Sequence, residues 1–552
     1  MIHFIRCLKE YTLLGFLVFS GLWVGISVAQ IGQLDGNTNR VSIGNDGQQG
    51  NGNSQDSAIS DDGRYIVFES EADNLVPGDY NQSFDVFVYN VETEVLGGIT
   101  VGGNWGGYDP EISADGRYIA FWSNSNNLVA NDTNDEPDIF VYDQQTGSFE
   151  IVSLGFNSEP SDGGSFGPID ISTDGRFVAF GSYATNLVPG VHNYYMDTYV
   201  RDRQLGVNEK VSVDSDGNEA NYHSGLPTIS ADGRYIAFSS EASNLVGNDT
   251  NNYADVFLHD RQSGLTQRLS ESLSGEQGYA DSNFPSISDD GRYVAFHSGV
   301  AHLVNNDTNQ TFDIFVRDLW LNVIERVSLS SSGAEANGGS GVPTLSGDGR
   351  FVTFISYATN LAEQDNNEAM DIFVHDRQTG LTERVNVNDE GEEALGWSYV
   401  PGVSLDGALV TFTSSAPNLV VGDTNEWDDV FVREVWWPAG TISQTVGAVG
   451  SYFGVVVSHF PANSPLDLTI NGQEVGEGLM TDENGGLALE LETTEADPGY
   501  YRVRLGAGVY WREVAFSLTE TGVVYPGLGG RPVVGVPAGI AQQRLFLPLL
   551  LR

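Results

Sequence analysis

Six loops of this chain repeat the pattern Asp-x-Asn-x-x-x-Asp, at Asp79/Asn81/Asp85, Asp132/Asn134/Asp138, Asp249/Asn251/Asp255, Asp307/Asn309/Asp313, Asp365/Asn367/Asp371 and Asp423/Asn425/Asp429. Hard oxygen donors at alternate positions are what a loop needs to wrap Ca²⁺, which takes roughly 6–8 oxygens. The glycine and the terminal bidentate Glu of an EF-hand loop are missing. A related loop keeps Asn193 and Asp197 but has Val191 where the first Asp belongs. The same residue types serve a second chemistry, in which Asn and Asp side chains bond to backbone amides and hold a turn. The pattern leaves both open, with calcium as the cofactor the first would imply.

Two further groups bear on function. Trp105, Tyr108, Tyr222, Tyr279, Trp397 and Tyr399 stand in longer loops that differ from one another. Aromatic side chains over a polar mouth stack on sugars or grip a peptide, so these are the candidate ligand-binding residues. For catalysis the available constellation is His192, His223 and Glu219, two imidazoles and a carboxylate that could hold a metal or act as base and acid. Their spacing does not demand it, and no Gly-x-Ser-x-Gly elbow appears within a hydrolase domain. Binding is therefore the leading reading, with a polysaccharide lyase or glycoside hydrolase as the alternative.

What positions these residues is a repeat. The stretch Ile229-Ser-Ala-Asp-Gly-Arg-Tyr-Ile-Ala-Phe238 recurs from Ile59, Ile112, Ile171, Ile229, Ile287, Leu345 and Val403, in steps of 53, 59, 58, 58, 58 and 58 residues. A near-constant period means an array of supersecondary units. In the fourth copy Pro227–Ser230 reads as a short strand and Asp232-Gly233 as a tight turn, with a second strand from Arg234 to Ser240. A polar loop leads to a third strand at Asp255–Asp260, and a fourth follows from Leu265 to Ser270. Four antiparallel strands per period, seven times over, describe an all-β, seven-bladed β-propeller.

The fourth strand carries an Arg-Val-Ser-like signature: Lys210-Val-Ser212, Arg268-Leu-Ser270, Arg326-Val-Ser328 and Arg384-Val-Asn386. The last blade has none, whereas Arg40-Val-Ser-Ile43 sits alone before the first. This N-terminal strand is predicted to pair with the last blade and close the ring, leaving no sheet edge. Strand order puts the acidic loops and the aromatic loops on one face. On the other, Arg117 with Asp143, Arg176 with Asp202, Arg234 with Asp260, Arg292 with Asp318 and Arg350 with Asp376 are predicted salt bridges.

Copies of Ile-Ser-x-Asp-Gly-Arg-Tyr-x-Ala-Phe followed by Asp-Ile-Phe-Val-x-Asp resemble the TolB-type, WD-like β-propeller repeat of bacterial secreted and periplasmic domains, over residues 38–436. That resemblance implies fold rather than chemistry, since the family includes protein-binding scaffolds, propellers attached to peptidases and some polysaccharide lyases.

Residues 440–520 read as a small β-sandwich. Asp497-Pro-Gly-Tyr-Tyr501 resembles the tyrosine corner of immunoglobulin-like domains, although the Cys and Trp hallmarks are absent. Residues 521–552 read as a Gly/Pro-rich linker and a short apolar tail. At the other end, Arg6 and Lys9 precede an apolar run ending in Ser27-Val28-Ala29, which reads as a signal peptide, residues 1–29. The only cysteine, Cys7, lies within it. The expected mature chain is a monomer without a membrane span, secreted, at the cell surface or periplasmic. With 25 basic and 75 acidic residues the formal charge is −50, which excludes nucleic acid and leaves a protein or glycan ligand.

Overall fold

The computed structural model describes residues 37–519, apart from 131, 192, 363–364 and short segments between 436 and 509, together with 533–535. The expected signal segment, and all of the 521–552 tail except Val533–Gly535, lie outside the described residues.

Alternation of turn residues with short apolar runs builds seven four-stranded antiparallel sheets, each ordered from the innermost strand outward as first, second, third and fourth. The second and third strands are apolar on both faces because each blade is covered by its neighbours. At their middle a directly opposed aromatic pair packs in every blade, as in Phe238 against Phe257 at 5.9 Å between ring centroids. The cores lie between blades: Phe177, Ala179 and Val200 of blade three pack with Ile229, Ile236 and Phe238 of blade four.

Thr38–Arg40 pairs antiparallel with Asp429–Glu434 and is the outer strand of blade seven, so the first strand among the described residues closes the ring as expected. Val41 is fully buried against Val430, Val432 and Phe68. The inner strands differ from the sequence expectation. In blade four the strand is Ser224–Ile229 rather than Pro227–Ser230, and it breaks register between Gly225 and Thr228. The bulge recurs in every blade.

The remaining strands form two sheets around one core that includes Phe453, Leu468, Leu489, Tyr501 and Phe516, a small sandwich. The Tyr501 hydroxyl donates to the Asp497 carbonyl at 2.7 Å, the contact the Asp-Pro-Gly-Tyr-Tyr motif predicts. Val533–Gly535 adds to one of these sheets, parallel to Glu490–Glu492.

Candidate functional site: the loop-rich face and its acidic mouth

The bulge in each inner strand sets a side chain at the propeller axis. Asp56, Asp109, Leu226, Phe284, Val342 and Val400 all hold φ between 46° and 53°. That region is uncommon for any residue with a Cβ and a true outlier for valine, so the backbone is strained where it meets the axis. Blade three instead inserts one residue, at Gly167-Pro168. Together these strands line a central cavity of about 400 Å³.

The lining is lopsided. At the bulges blades one and two contribute Asp56 and Asp109, whereas blades four to seven contribute Leu226, Phe284, Val342 and Val400; along the rest of the cavity Asp61, Glu111, Asp170 and Asp289 come from blades one, two, three and five. Asp56, Glu69 and Asp109 each offer one carboxylate oxygen, all within 4.8 Å of one another. The Asp109 side chain accepts from Trp122 Nε1 at 2.8 Å. Its amide donates to Glu69 Oε2 at 2.8 Å, while Gln55 donates to Glu69 Oε1 at 2.9 Å. Burial, reinforced by the charge of Asp56, pushes Glu69 up to about 8, and burial with the charge of Asp109 pushes Asp56 up to about 6. At neutral pH Glu69 therefore favours its protonated form and Asp56 its ionised one, a set able to donate and accept protons or, fully ionised, to hold a metal ion.

An arc of rings curves away from this mouth over blades one to four. Phe84 packs on Tyr108 at 5.9 Å, Tyr108 on Trp122 at 4.4 Å, Trp122 on Phe166 at 5.6 Å and Phe166 on Tyr183 at 6.2 Å. Tyr183 meets His223 at 6.1 Å, and His223 lies 4.9 Å from Tyr222 and 5.1 Å from Tyr195. Tyr183, Tyr195 and Tyr222 are exposed. Of the other aromatic candidates, Trp105 and Tyr279 are exposed, at 55% and 78%, and Trp397 meets Tyr357 edge-on at 6.4 Å. Tyr399 donates its hydroxyl to Asp428, and burial first and that contact second push its pKa up.

Two of the three candidate catalytic residues are otherwise engaged. His223 Nδ1 accepts from the Met196 amide at 3.1 Å, and Glu219 is held by Asn193 at 3.0 Å and Lys210 at 3.3 Å. His192 lies outside the described residues.

Each member of the acidic-loop pattern has a separate job. The last Asp opens the third strand and is fully buried, accepting from the Ser, Thr or Asn of the fourth strand, as Ser328 to Asp313 at 2.5 Å. The asparagines show the turn chemistry of the two left open: the side-chain oxygen of each accepts from the amide two residues on. Asn81 accepts from Ser83 at 2.9 Å, Asn134 from Glu136 at 3.3 Å and Asn251 from Tyr253 at 3.1 Å. Asn309 accepts from Thr311 at 3.0 Å, Asn367 from Ala369 at 2.7 Å and Asn425 from Trp427 at 3.2 Å.

Their amide nitrogens, which no cation would accept as ligands, reach across to the loop leading to the next inner strand. Asn81 donates to the Gly103 carbonyl at 3.5 Å, Asn251 to that of Gly278 at 3.0 Å, Asn367 to that of Ala394 at 2.9 Å and Asn425 to that of Gly50 at 3.1 Å. Asn134 and Asn309 do the same to Ser161 and Ala336. All six are turn residues that clip one blade to the next, the second of the two chemistries the pattern left open. In blade five Arg326 lies 3.5 Å from Asp307 and 3.4 Å from Asp313. The Arg-Val-Ser signature is thus explained: its Arg faces the loop's acids and its Ser the strand's.

On the opposite face all five predicted bridges form, between 2.6 and 2.8 Å.

Sequence reasoning missed Asp56, Glu69, Asp109, Glu111 and Asp170. For Asp56 and Asp109 the signal was present just ahead of the decapeptide, where four copies put an apolar residue and two put Asp. It becomes readable only once the bulged inner strand is known to line an axis.

Scans against protein-family models and against curated proteins found no match. Among solved structures the chain is similar to an oligogalacturonate lyase from Vibrio parahaemolyticus (14% identity, TM-score 0.45, 72% of this chain and 93% of that one). It is also similar to a putative TolB from Agrobacterium tumefaciens (17%, TM-score 0.35, 64% and 98%). A third likeness is to an acylaminoacyl peptidase from Pyrococcus horikoshii (11%, TM-score 0.42, 75% and 59%). These likenesses carry no functional argument, and the fold assignment rests on the seven sheets themselves.

Proposed function

We propose that this chain is a secreted or cell-surface propeller that binds a glycan or protein ligand across its loop-rich face. The small sandwich, immunoglobulin-like by its tyrosine corner, serves as spacer or attachment. The observation that carries the reading is the arc from Phe84 to Tyr195, whose near end meets the carboxylates through Trp122 and Asp109. Ring faces stack on sugar or peptide groups, while the carboxylates beside them accept hydroxyl or amide protons. A divalent cation, calcium, accompanies this reading as a stabilising guest. On a glycan and peptide array the purified chain should select one ligand class, and Trp105→Ala and Tyr222→Ala should weaken that binding by about tenfold each. An array without hits, or affinities untouched by both changes, would sink the proposal.

A second reading, a lyase or glycoside hydrolase, is favoured by one observation: Asp56, Glu69 and Asp109 bring carboxylate oxygens within 4.8 Å of one another at the mouth, where burial pushes Glu69 up and so suits it to the acid's part beside Asp56. Turnover on a panel of acidic and neutral polysaccharides that disappears in Glu69→Gln, and survives His223→Ala, would establish it.

A further inference from the structure

The fourth strand of every blade presents one position to that blade's acidic loop. It is opposite the central aromatic of the third strand: Arg268 against Phe257, Arg326 against Phe315, Arg384 against Phe373 and Arg40 against Phe431. In blade three it is Lys210, and in blades one and two it is Gly98 and Ile151. Wherever this residue is basic it neutralises the loop. Arg268 lies 3.6 Å from Asp249 and 3.4 Å from Asp255, and Arg384 lies 4.0 Å from Asp365 and 3.5 Å from Asp371. Arg40 lies 3.2 Å from Asp423 and 3.1 Å from Asp429. Blade three has lost its first Asp to Val191, and its shorter Lys210 meets Asp197 at 2.6 Å. Five sister sites each build a cation against the buried acids, because buried charges are tolerated only when paired.

Blade one keeps both acids and lacks the cation. Asp79 is 4% exposed and Asp85 fully buried. Neither oxygen of Asp79, nor Oδ2 of Asp85, accepts a well-formed hydrogen bond among the described residues, and the two carboxyls lie against each other beside Asn81. A side chain at Gly98 could not supply the charge, because its Cβ would strike methyls of Val101 at 2.7 Å and Val76 at 3.0 Å. The loop leaving this blade is also five residues shorter, the source of the 53-residue step. Blade two is a weaker case: Asp132 has one oxygen without a partner, but Asp138 accepts from Ser153, Ser161 and Asn134.

We propose that Asp79 and Asp85 of blade one bind a divalent cation of the calcium type, which stands where its sister blades place a guanidinium or ammonium. Two carboxylates match its charge, three oxygens face it and water completes its shell, while Asn81 remains the turn residue it is in the sister loops. The pair is electrostatically frustrated without it: burial first, then the charge of Asp85, pushes Asp79 up to about 6. The five loops closed by Arg or Lys take no ion, and in blade two Asp138 is satisfied by Ser153, Ser161 and Asn134 instead. This site is independent of any ligand on the loop-rich face.

The test is calorimetric titration of the metal-stripped full chain with CaCl₂ at pH 7.5, alongside its melting temperature. Uptake with a melting temperature raised by about 2–4 °C is expected. Both effects should vanish in Asp79→Asn, which keeps the shape and removes the charge, and persist in Asp132→Asn. Three results overturn the proposal: no uptake of Ca²⁺, Mg²⁺ or Mn²⁺ at millimolar concentration, uptake unchanged by Asp79→Asn, or uptake abolished by Asp56→Asn instead, which would move the ion to the mouth. A proton shared by the pair in place of an ion gives the first of these results. An array without ligands leaves this outcome untouched, so the two proposals fail separately.

Discussion

Arg234 shows how much one side chain of the repeat is asked to do. Its guanidinium grips Asp260 through two bonds, Nε to Oδ1 at 2.8 Å and Nη2 to Oδ2 at 2.7 Å, and lies 4.6 Å from the ring of Tyr235. In the neighbouring register Tyr118 is sandwiched between Arg117 at 4.7 Å and Arg203 at 4.6 Å, and Arg203 also pairs with Glu150 of the preceding blade at 2.9 Å. The braces thus stitch blades as well as hairpins. They are partly exposed, so Arg234→Ala should lower a urea unfolding midpoint only slightly, mostly through lost ring packing. A midpoint lowered as far as by loss of a buried core residue would mean the brace is far more than a surface pair. These pairs were legible from sequence because Arg opens one strand and Asp ends the next, and antiparallel pairing leaves a single register. The axial carboxylates were not, because the bulge, with its positive φ, turns their side chains in a way that simple alternation does not foresee.

At the scale of elements, the Asp-Gly turn is required twice over. Gly233 has φ of 71°, and a Cβ there would lie 2.1 Å from the ring of Phe177 in the preceding blade. Gly116 against Tyr65 and Gly291 against Tyr235 repeat the contact at 2.2 Å and 2.3 Å. Gly233→Ala should therefore destabilise by about 2 kcal/mol or more, strain and overpacking together, as read from its denaturation midpoint. The closing strand is the other decisive element. Thr38–Arg40 supplies the outer edge of blade seven, Arg40 its buried cation and Ser42 a bond to Asp429 at 2.5 Å. Deleting residues 30–45 should unfold the whole propeller in one transition, visible by circular dichroism; loss of local order alone would refute the closure's role. Its place was readable because one signature was missing at the end and present alone at the start.

Over the whole molecule, charge dominates. Glu69 raised to about 8, with Asp56, Asp61 and Asp79 raised to about 6, binds protons more tightly folded than unfolded. That contribution is complete below the ordinary carboxylate range and is lost as pH rises through about 6 to 8. The bridged Asp143, held down at about 2 by Arg117, works the other way, present above the ordinary value and lost as pH falls toward 2. In the absence of divalent cations the melting temperature should therefore climb as pH falls from 8 to about 5 and collapse below about 3. A flat profile from 8 to 5 would contradict the buried carboxyls. With a formal charge of −50, added NaCl should also raise the melting temperature at pH 8.

The sequence alone determined the blade count, the hairpins, the closure and the Arg-Asp braces, since each follows from local periodicity and from a register that short turns leave no freedom to change. It even held the departures, a 53-residue step for the shortened loop after blade one and a 59-residue step for the extra inner-strand residue of blade three. Only the tertiary structure decided what the acidic loops are. An asparagine such as Asn367 offers the same oxygen to a cation or to an amide, and its clip to Ala394 of the next loop is what assigns it to the turn. Whether Asp79 is a turn residue, a bridged acid or an ion's ligand depends on the fourth strand of its own blade, which presents Gly98 where five sister blades present a cation. Likewise, only ring closure brings Asp56, Asp109 and Leu226 to one axis, because the contact that joins them is made by a circle of blades and by none of them singly.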